Sequence, residues 1–184
     1  MLLGVISDTH GNLTGWQTAW DKGLGDADVI FHCGDVMYHG PNFTPVEGYN
    51  PKALAHKLNT CSQPLFLVLG NGDSEVDQAQ LRFPPVPYVF ASLEGVRVLA
   101  VHGHVQTPDE LLPLAQAWGI DLLFTGHTHV PTLNRVGRVV HLNPGSVTYP
   151  LAKQPELHKP TFALVRDGHP EVLDLYTGDV VLSL

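Results

Sequence analysis

The stretch Phe124-Thr125-Gly126-His127-Thr128-His129-Val130-Pro131 sets two imidazoles one residue apart, after a glycine, at the end of an apolar run. Ile120 to Phe124 reads as a buried strand, and Gly126 breaks it and frees the backbone to turn. The histidines then land on a strand-to-loop corner, where α/β proteins often carry catalytic groups. Alone, the pair reads equally well as a satisfied turn, so its partners decide. Ser7-Asp8-Thr9-His10-Gly11-Asn12 follows one apolar run and Cys33-Gly34-Asp35-Val36 a second. Gly70-Asn71-Gly72-Asp73 follows a third and His102-Gly103-His104 a fourth. A single Asp at a strand end is usually a turn residue or a helix cap. Asp, Asn or His after five strands in succession is a stronger signal, because the carboxyl ends of such strands can converge on one crevice.

The donor chemistry is coherent. Carboxylates, an amide carbonyl and imidazoles make a mixed oxygen and nitrogen set with no thiolate, which suits Mn, Fe, Co, Ni or Zn better than calcium or a structural cysteine-zinc site. Seven donors exceed what one ion needs, and two ions sharing a bridging carboxylate would use them all. Alternation along an extended segment accounts for the spacer in Asp8-x-His10 and His127-x-His129, since residues two apart project to the same side. A slight divergence in the second pair would give each imidazole its own ion.

Short apolar segments must position these groups: Leu2–Ser7, Val29–His32, Leu65–Leu69, Val89–Ser92, Val96–Val101 and Leu122–Thr125. One helix is expected from Leu13 to about Gly23, with Trp16 and Trp20 on one face. Another is expected over Pro51–Leu58, with Asn50 as N-cap and Pro51 at the first helical position. Thr107-Pro108-Asp109-Glu110 resembles a capping box, but Pro113 falls inside the helix that would follow and argues for a later start. Glu94-Gly95, Val136-Gly137 and Asp167-Gly168 read as hairpin turns. The chain thus begins as βαβα and finishes largely as antiparallel β. The expected class is α/β (α+β), two mixed sheets packed as a sandwich and flanked by helices. Met37 to Tyr49 is the most irregular stretch, and a loop of that length in a compact domain usually has a function. Asn12 reads as a helix cap, Asn143-Pro144-Gly145 as a turn beside the cleft, and His32 and His141 as strand histidines rather than ligands. Cys33 reads as a small buried hydrophobe.

Length and composition set the frame. The 184 residues suit one domain spanning 1–184, with 43% hydrophobic and 15% charged residues, a globular rather than disordered balance. No apolar stretch approaches the roughly 20 residues needed to cross a bilayer. The first residues read as a strand rather than a signal peptide, and the two cysteines form no Cys-x-x-Cys pair, so a cytoplasmic protein with reduced thiols is expected. A net charge of −8 disfavours binding to extended nucleic acid, while 11 histidines against 10 Lys plus Arg supply metal ligands. No P-loop or Rossmann glycine motif is present.

The ordered set D-x-H, GD, GN-x-D, HGH and GHTH resembles the calcineurin-like metallophosphoesterase superfamily. Gly70 to Asp77, the loop from His39-Gly40-Pro41 to Glu47-Gly48-Tyr49, and Asn143 to Val147 resemble its small bacterial YfcE-like phosphodiesterases, over nearly the whole chain. The resemblance implies the same sandwich and a ligand assignment. Asp8, His10 and His129 would hold one ion, Asn71, His102 and His127 the other, and Asp35 would bridge them. It implies hydrolysis of a small phosphodiester by in-line attack of a hydroxide held between two divalent ions, Mn first and Fe, Ni, Co or Zn as alternatives. A homo-oligomer, dimer or tetramer, is also implied, with neither membrane nor nucleic acid as partner. No motif carries Lys or Arg, which fits metals taking the charge-neutralising role.

One departure matters. Many relatives carry His where this chain has Gly72, a residue thought to protonate the leaving group. Loss of such an acid can cost on the order of 10²–10⁴ in rate, which predicts a preference for weakly basic leaving groups. His104 or His39 could substitute as catalytic proton donor, or His104 could instead hold His102 in place. Asp73 is expected to orient a neighbouring ligand. Phosphomonoesterase and nucleotide pyrophosphatase activities are alternatives within the superfamily. A non-catalytic scaffold, like the retromer subunit of this fold, would show eroded ligands, and all seven are present here.

Overall fold

The computed structural model describes residues 1–184. In chain order the elements are β1 (Leu2–Ile6), α1 (Leu13–Asp21), β2 (Val29–His32), α2 (Pro51–Asn59), β3 (Leu65–Leu67), α3 (Glu75–Gln78), β4 (Tyr88–Leu93), β5 (Val96–Val101) and α4 (Pro108–Ala117). They continue as β6 (Leu122–Phe124), β7 (Thr132–Val136), β8 (Val139–Asn143), β9 (Thr161–Arg166), β10 (His169–Asp174) and β11 (Val180–Ser183). One sheet runs β11-β10-β9-β1-β2-β3 and the other β4-β5-β6-β8-β7. Both are mixed, with β1, β2 and β3 parallel in the first and β5, β6 and β8 parallel in the second. The second half is therefore less antiparallel than its turn residues suggest, because α4 carries the chain across between β5 and β6.

Strand alternation builds the layers. Leu3 and Val5 of β1 meet Val98, Ala100, Phe124 and Leu142 of the other sheet between the two sheets. Ile6 turns to the opposite face and packs with Trp16 and Leu54 of the helices. On the far side, Leu99 and Val101 turn outward against Leu111 and Ala115 of α4. The central strands are buried on both faces, which is why they read as unbroken apolar runs.

Local chemistry sets the helix ends. Asn12 accepts from the Gly15 N–H at 2.8 Å and Asn50 from the Ala53 N–H at 3.1 Å. Helix α4 starts at Pro108 and runs through Pro113, so the later start does not occur. Pro113 cannot donate to the Asp109 carbonyl, but both residues are exposed and water can take that acceptor. The complete Thr107–Glu110 capping box and the buried Leu111 and Ala115 outweigh the loss. Both Glu94-Gly95 and Asp167-Gly168 have positive φ at each residue, as a type I′ hairpin requires. The β7–β8 turn sits one residue later than expected, at Gly137-Arg138, with only Gly137 left-handed.

The parallel registers align the strand ends. Ile6 pairs with His32 and His32 with Leu67, while Ala100 pairs with Phe124 and Phe124 with Leu142. Whatever follows these strands emerges along one edge of the sandwich. Replacing Thr107 with Ala removes the α4 cap and is expected to cost about 1 kcal/mol, read as a lowered melting temperature with the metal affinity unchanged.

Candidate metal centre

Seven non-glycine residues have positive φ, and five of them are Asp8, His10, Asp35, His127 and His129. The other two are the hairpin residues Glu94 and Asp167. β1 and β6 have ended before these segments begin, so strand alternation does not explain the two spacers. The spacing arises from left-handed turns, which aim both members of each pair at the edge. Gly126 has a different role from the one its type suggests. Its φ is not left-handed; instead a Cβ there would lie 2.1 Å from Ser7 Oγ and 2.8 Å from the Cys33 carbonyl. The residue provides room for the β6 loop to pass against β1 and β2. Gly70 likewise lets its loop lie on Asp35, whose Oδ1 would be 2.2 Å from an added Cβ.

Asp8 is fully buried and its two oxygens differ. Oδ2 accepts from Ser7 Oγ at 2.5 Å and from the His127 N–H at 3.1 Å. Oδ1 has no hydrogen-bond partner, and lies 3.2 Å from His129 Nε2 and 3.8 Å from His10 Nε2. His10 donates Nδ1–H to the Tyr38 carbonyl at 2.6 Å, and His129 to that of Tyr149 at 2.7 Å. In the neutral form each ring therefore turns an unprotonated Nε2 inward, and the two Nε2 atoms are 3.2 Å apart. Two lone pairs and a carboxylate oxygen face one another there, an arrangement that needs a cation.

A second group adjoins the first. His102 donates Nδ1–H to the Cys33 carbonyl at 2.6 Å, and its Nε2 lies 3.1 Å from Asn71 Oδ1 and 3.6 Å from Asp35 Oδ1. Asp35 Oδ2 lies 3.8 Å from His10 Nε2, so this carboxylate stands between the two sets of histidines. Asp8, Asp35 and His102 themselves cluster, as do Asp8, His10 and His129. The His127 ring is 5.1 Å from that of His102, and His127 and Asn71 occupy the exposed side of the centre. All seven sequence-selected donors are thus brought to one edge.

The supporting residues were harder to foresee. Asp73 accepts from the N–H groups of Gly70, Asp35 and Val36 at 2.8, 3.0 and 2.7 Å, which clamps the Asp35 loop to the Asn71 loop. Asn143 donates to the Gly126 carbonyl at 2.7 Å and steadies the His127–His129 turn. Ser146 Oγ and Thr148 Oγ1 donate to the carbonyls of Asp8 and Thr9 at 2.9 and 2.8 Å. The expected orienting role of Asp73 and the resemblance over Asn143 to Val147 point to these segments, but not to the main-chain groups they hold. His104 is exposed and makes no hydrogen bond to His102, whose Nδ1 the Cys33 carbonyl takes instead. Its ring lies 5.2 Å from that of His102 and 6.2 Å from that of His127. His32 is a core histidine bonded to Thr9 Oγ1 at 2.9 Å, and burial lowers its pKa to about 4. His141 bonds Thr125 Oγ1 and is lowered to about 4 in the same way.

The irregular loop forms one wall of an open cleft of ≈ 460 Å³ over this centre, from Tyr38 to Phe43. Phe43 stacks on Tyr149 at 4.3 Å and flanks the His129 ring at 5.7 Å. His39 also lines the cleft and its Nδ1 is 3.4 Å from Tyr49 Oη.

The charges agree with a cation site. Burial alone would lower the pKa of His102, but the carboxylates of Asp35 and Asp8 lift it to about 9. His129 is raised against burial by Asp8 and the Tyr149 carbonyl. Burial would raise Asp8, yet contact with His129 and the charge of His102 hold it far below the usual carboxylate range. The donor types, the orphaned Asp8 Oδ1 and the inward Nε2 atoms fit divalent ions of the Mn, Fe and Zn group.

A sandwich of two mixed sheets with a carboxylate–imidazole centre on its parallel strand ends is an architecture that metal-dependent phosphoester hydrolases share, and similarity in sequence and fold places the chain among them. The chain belongs to the calcineurin-like phosphoesterase superfamily, whose domain model matches residues 1–166. It is homologous to phosphodiesterase YfcE of Escherichia coli strain K12, at 38% identity over 157 residues, covering 84% of each chain. The solved structure of YfcE, a phosphoesterase from E. coli, superposes with a TM-score of 0.86 at 30% identity over 100% of this chain and 98% of that one. Vps29 from Entamoeba histolytica, solved with zinc, matches with a TM-score of 0.67 at 21% identity over 98% and 96%, a likeness of fold alone. The family implies divalent metal ions, and no helix is long and apolar enough to cross a membrane.

Metal-stripped protein has a defined pH response. Folded His102 keeps its proton to about 9, against about 6.5 unfolded. That stabilisation is complete below the unfolded value and is lost as pH rises through the folded one. The melting temperature of stripped protein is expected to fall between these limits, and saturating Mn²⁺, which displaces the protons, to flatten the curve.

Proposed function

We propose that the protein is a phosphodiesterase that hydrolyses small phosphodiesters with two divalent ions, Mn²⁺ first among them. The observation that carries this reading is the convergence of Asp8 Oδ1 with the inward Nε2 atoms of His10, His102 and His129 about Asp35. Asp8, His10 and His129 would hold one ion, Asn71, His102 and His127 the other, and Asp35 both. When bound, such ions supply Lewis acidity, lowering the pKa of water and neutralising phosphoryl oxygens. The rest falls to the chain. The Gly72 N–H holds Asp35 Oδ1 at 2.7 Å and fixes the shared carboxylate. Asn71 and His127 border the open side, where a phosphoryl group enters. The Tyr149–Phe43 stack shields His129 from water on the other flank. The cleft suits a small substrate, and the −8 charge disfavours an extended polyanion. The E. coli relative carries the name phosphodiesterase, which supports the diester over a monoester.

Hydrolysis of bis(p-nitrophenyl) phosphate beside p-nitrophenyl phosphate tests the reading. Stripped protein is expected to be inactive and Mn²⁺ to restore diester cleavage. Asp35→Asn is expected to lower kcat/KM about a hundredfold or more. Metal binding without turnover of either ester would favour a scaffold.

Position 72 has no side chain to donate a proton, and His39 and His104 are the two imidazoles bordering the ligand set. Rate should therefore fall steeply as the leaving group becomes more basic. His39→Gln and His104→Gln separate the two: loss of the donor is expected to slow alkyl leaving groups by ~10²-fold or more while sparing p-nitrophenolate. A slope unchanged in both variants, with chemistry rate-limiting, would remove both as donors.

A further inference from the structure

A second cavity of ≈ 600 Å³ adjoins the metal centre, and apart from His102 and His104 none of its lining residues has a part in the reaction above. Its walls include Tyr88 of β4, Leu99 and Val101 of β5, and Leu111, Leu114 and Trp118 of α4 and its C-cap. His102 and His104 line it too. Tyr88 is 60% exposed, Trp118 48% and Leu114 39%, so large apolar side chains stand open to water beside the centre. No Lys or Arg lines the groove. Its one carboxylate, Glu110, is engaged by the Thr107 N–H at 2.8 Å and Thr107 Oγ1 at 2.9 Å. An anion gains nothing there, whereas an apolar group does.

The cleft across the ridge has more polar lining residues, His39, Asn42, Asn71 and Ser74 among them, beside Tyr38, Phe43 and Leu151. His102 borders the groove and His127 the cleft, with ring centres 5.1 Å apart. A phosphoryl group at this ridge has one unlike chamber on each side. We propose that the groove binds an apolar ester arm, aryl or medium-chain alkyl, so that the substrate class is an asymmetric phosphodiester with one hydrophobic and one polar arm. The continuity of the groove with the ligand His102 selects a substrate arm over a separate partner. The proposal rests on the phosphodiesterase reading and refines it.

The test uses O-methyl, O-butyl and O-hexyl diesters sharing one polar leaving arm, an S-(2-hydroxyethyl) thioester of phosphate whose released thiol is assayed. The leaving group is constant, so only groove binding varies. With Mn²⁺, kcat/KM is expected to rise by up to about fourfold per methylene. Leu114→Asp and Trp118→Ala are expected to flatten that rise. Both side chains are partly exposed, and the hexyl-to-methyl ratio within each variant cancels any change in folded fraction. A second readout needs no turnover: 1-hexanol, but not methanol at the same concentration, should shift to the blue a tryptophan emission that Trp118→Ala lacks. Equal kcat/KM along the series, or a rise that survives both substitutions, would overturn the proposal. So would a dimer in sedimentation that Leu114→Asp dissociates, since the face would then belong to a second copy. Absence of turnover with every ester would sink the phosphodiesterase reading, and the fluorescence result would still decide the groove.

Discussion

The structure depends on a backbone constraint: five side chains that need to face one point sit on residues held in the left-handed region. Each such residue costs on the order of 1–3 kcal/mol unless its surroundings fix it. Here they do. The Asp8 N–H reaches the Gly34 carbonyl at 3.0 Å and the His10 N–H the Asp35 carbonyl at 3.0 Å, so the turns after β1 and β2 hold each other. The third turn is tied in by Asp73 and the fifth by Asn143. Strain at the edge is offset by hydrogen bonds between loops rather than by packing, which leaves the side chains free for ligands.

The same economy applies to each imidazole. His10, His102 and His129 are fixed by backbone carbonyls of Tyr38, Cys33 and Tyr149, not by carboxylates. A carbonyl holds the tautomer without adding charge. The negative charge of the centre is then that of Asp8 and Asp35, which protons on His102 and His129 balance without metal and divalent cations would balance in their place. Cys33 contributes through its main chain; its thiol is buried and pushed up by that burial, a packing group as its small apolar character suggests.

The donors and the sandwich were legible because each rests on a local signal. An apolar run ending in glycine with Asp, Asn or His is visible in one dimension, and the turn pairs Glu94-Gly95 and Asp167-Gly168 carry their own conformational signature. What was not legible depends on contacts between distant segments. The spacing in Asp8-x-His10 fits a strand equally well, and only the observed φ values show turns. Gly126 looks like a hinge until Ser7 and Cys33 are seen beside it. Pro113 looks like a helix breaker until it and Asp109 are found on the exposed side of α4. The roles of Ser146 and Thr148 are not visible locally because the carbonyls they hold belong to the other end of the chain.

That last pairing has a consequence for how the protein is made. Ser146 and Thr148 grip the first loop across 138 and 139 positions, and His129 meets Asp8 across nearly the same span. Contacts so far apart form late, after the intervening segments have collapsed. On the ribosome, the first three strands and their carboxylates emerge long before the Tyr149 carbonyl that orients His129. The nascent chain therefore exposes isolated acidic turns rather than a metal trap. The Asp8–His10–His129 cluster is therefore complete only after Tyr149 has been made, so the order of the chain itself delays assembly of the centre.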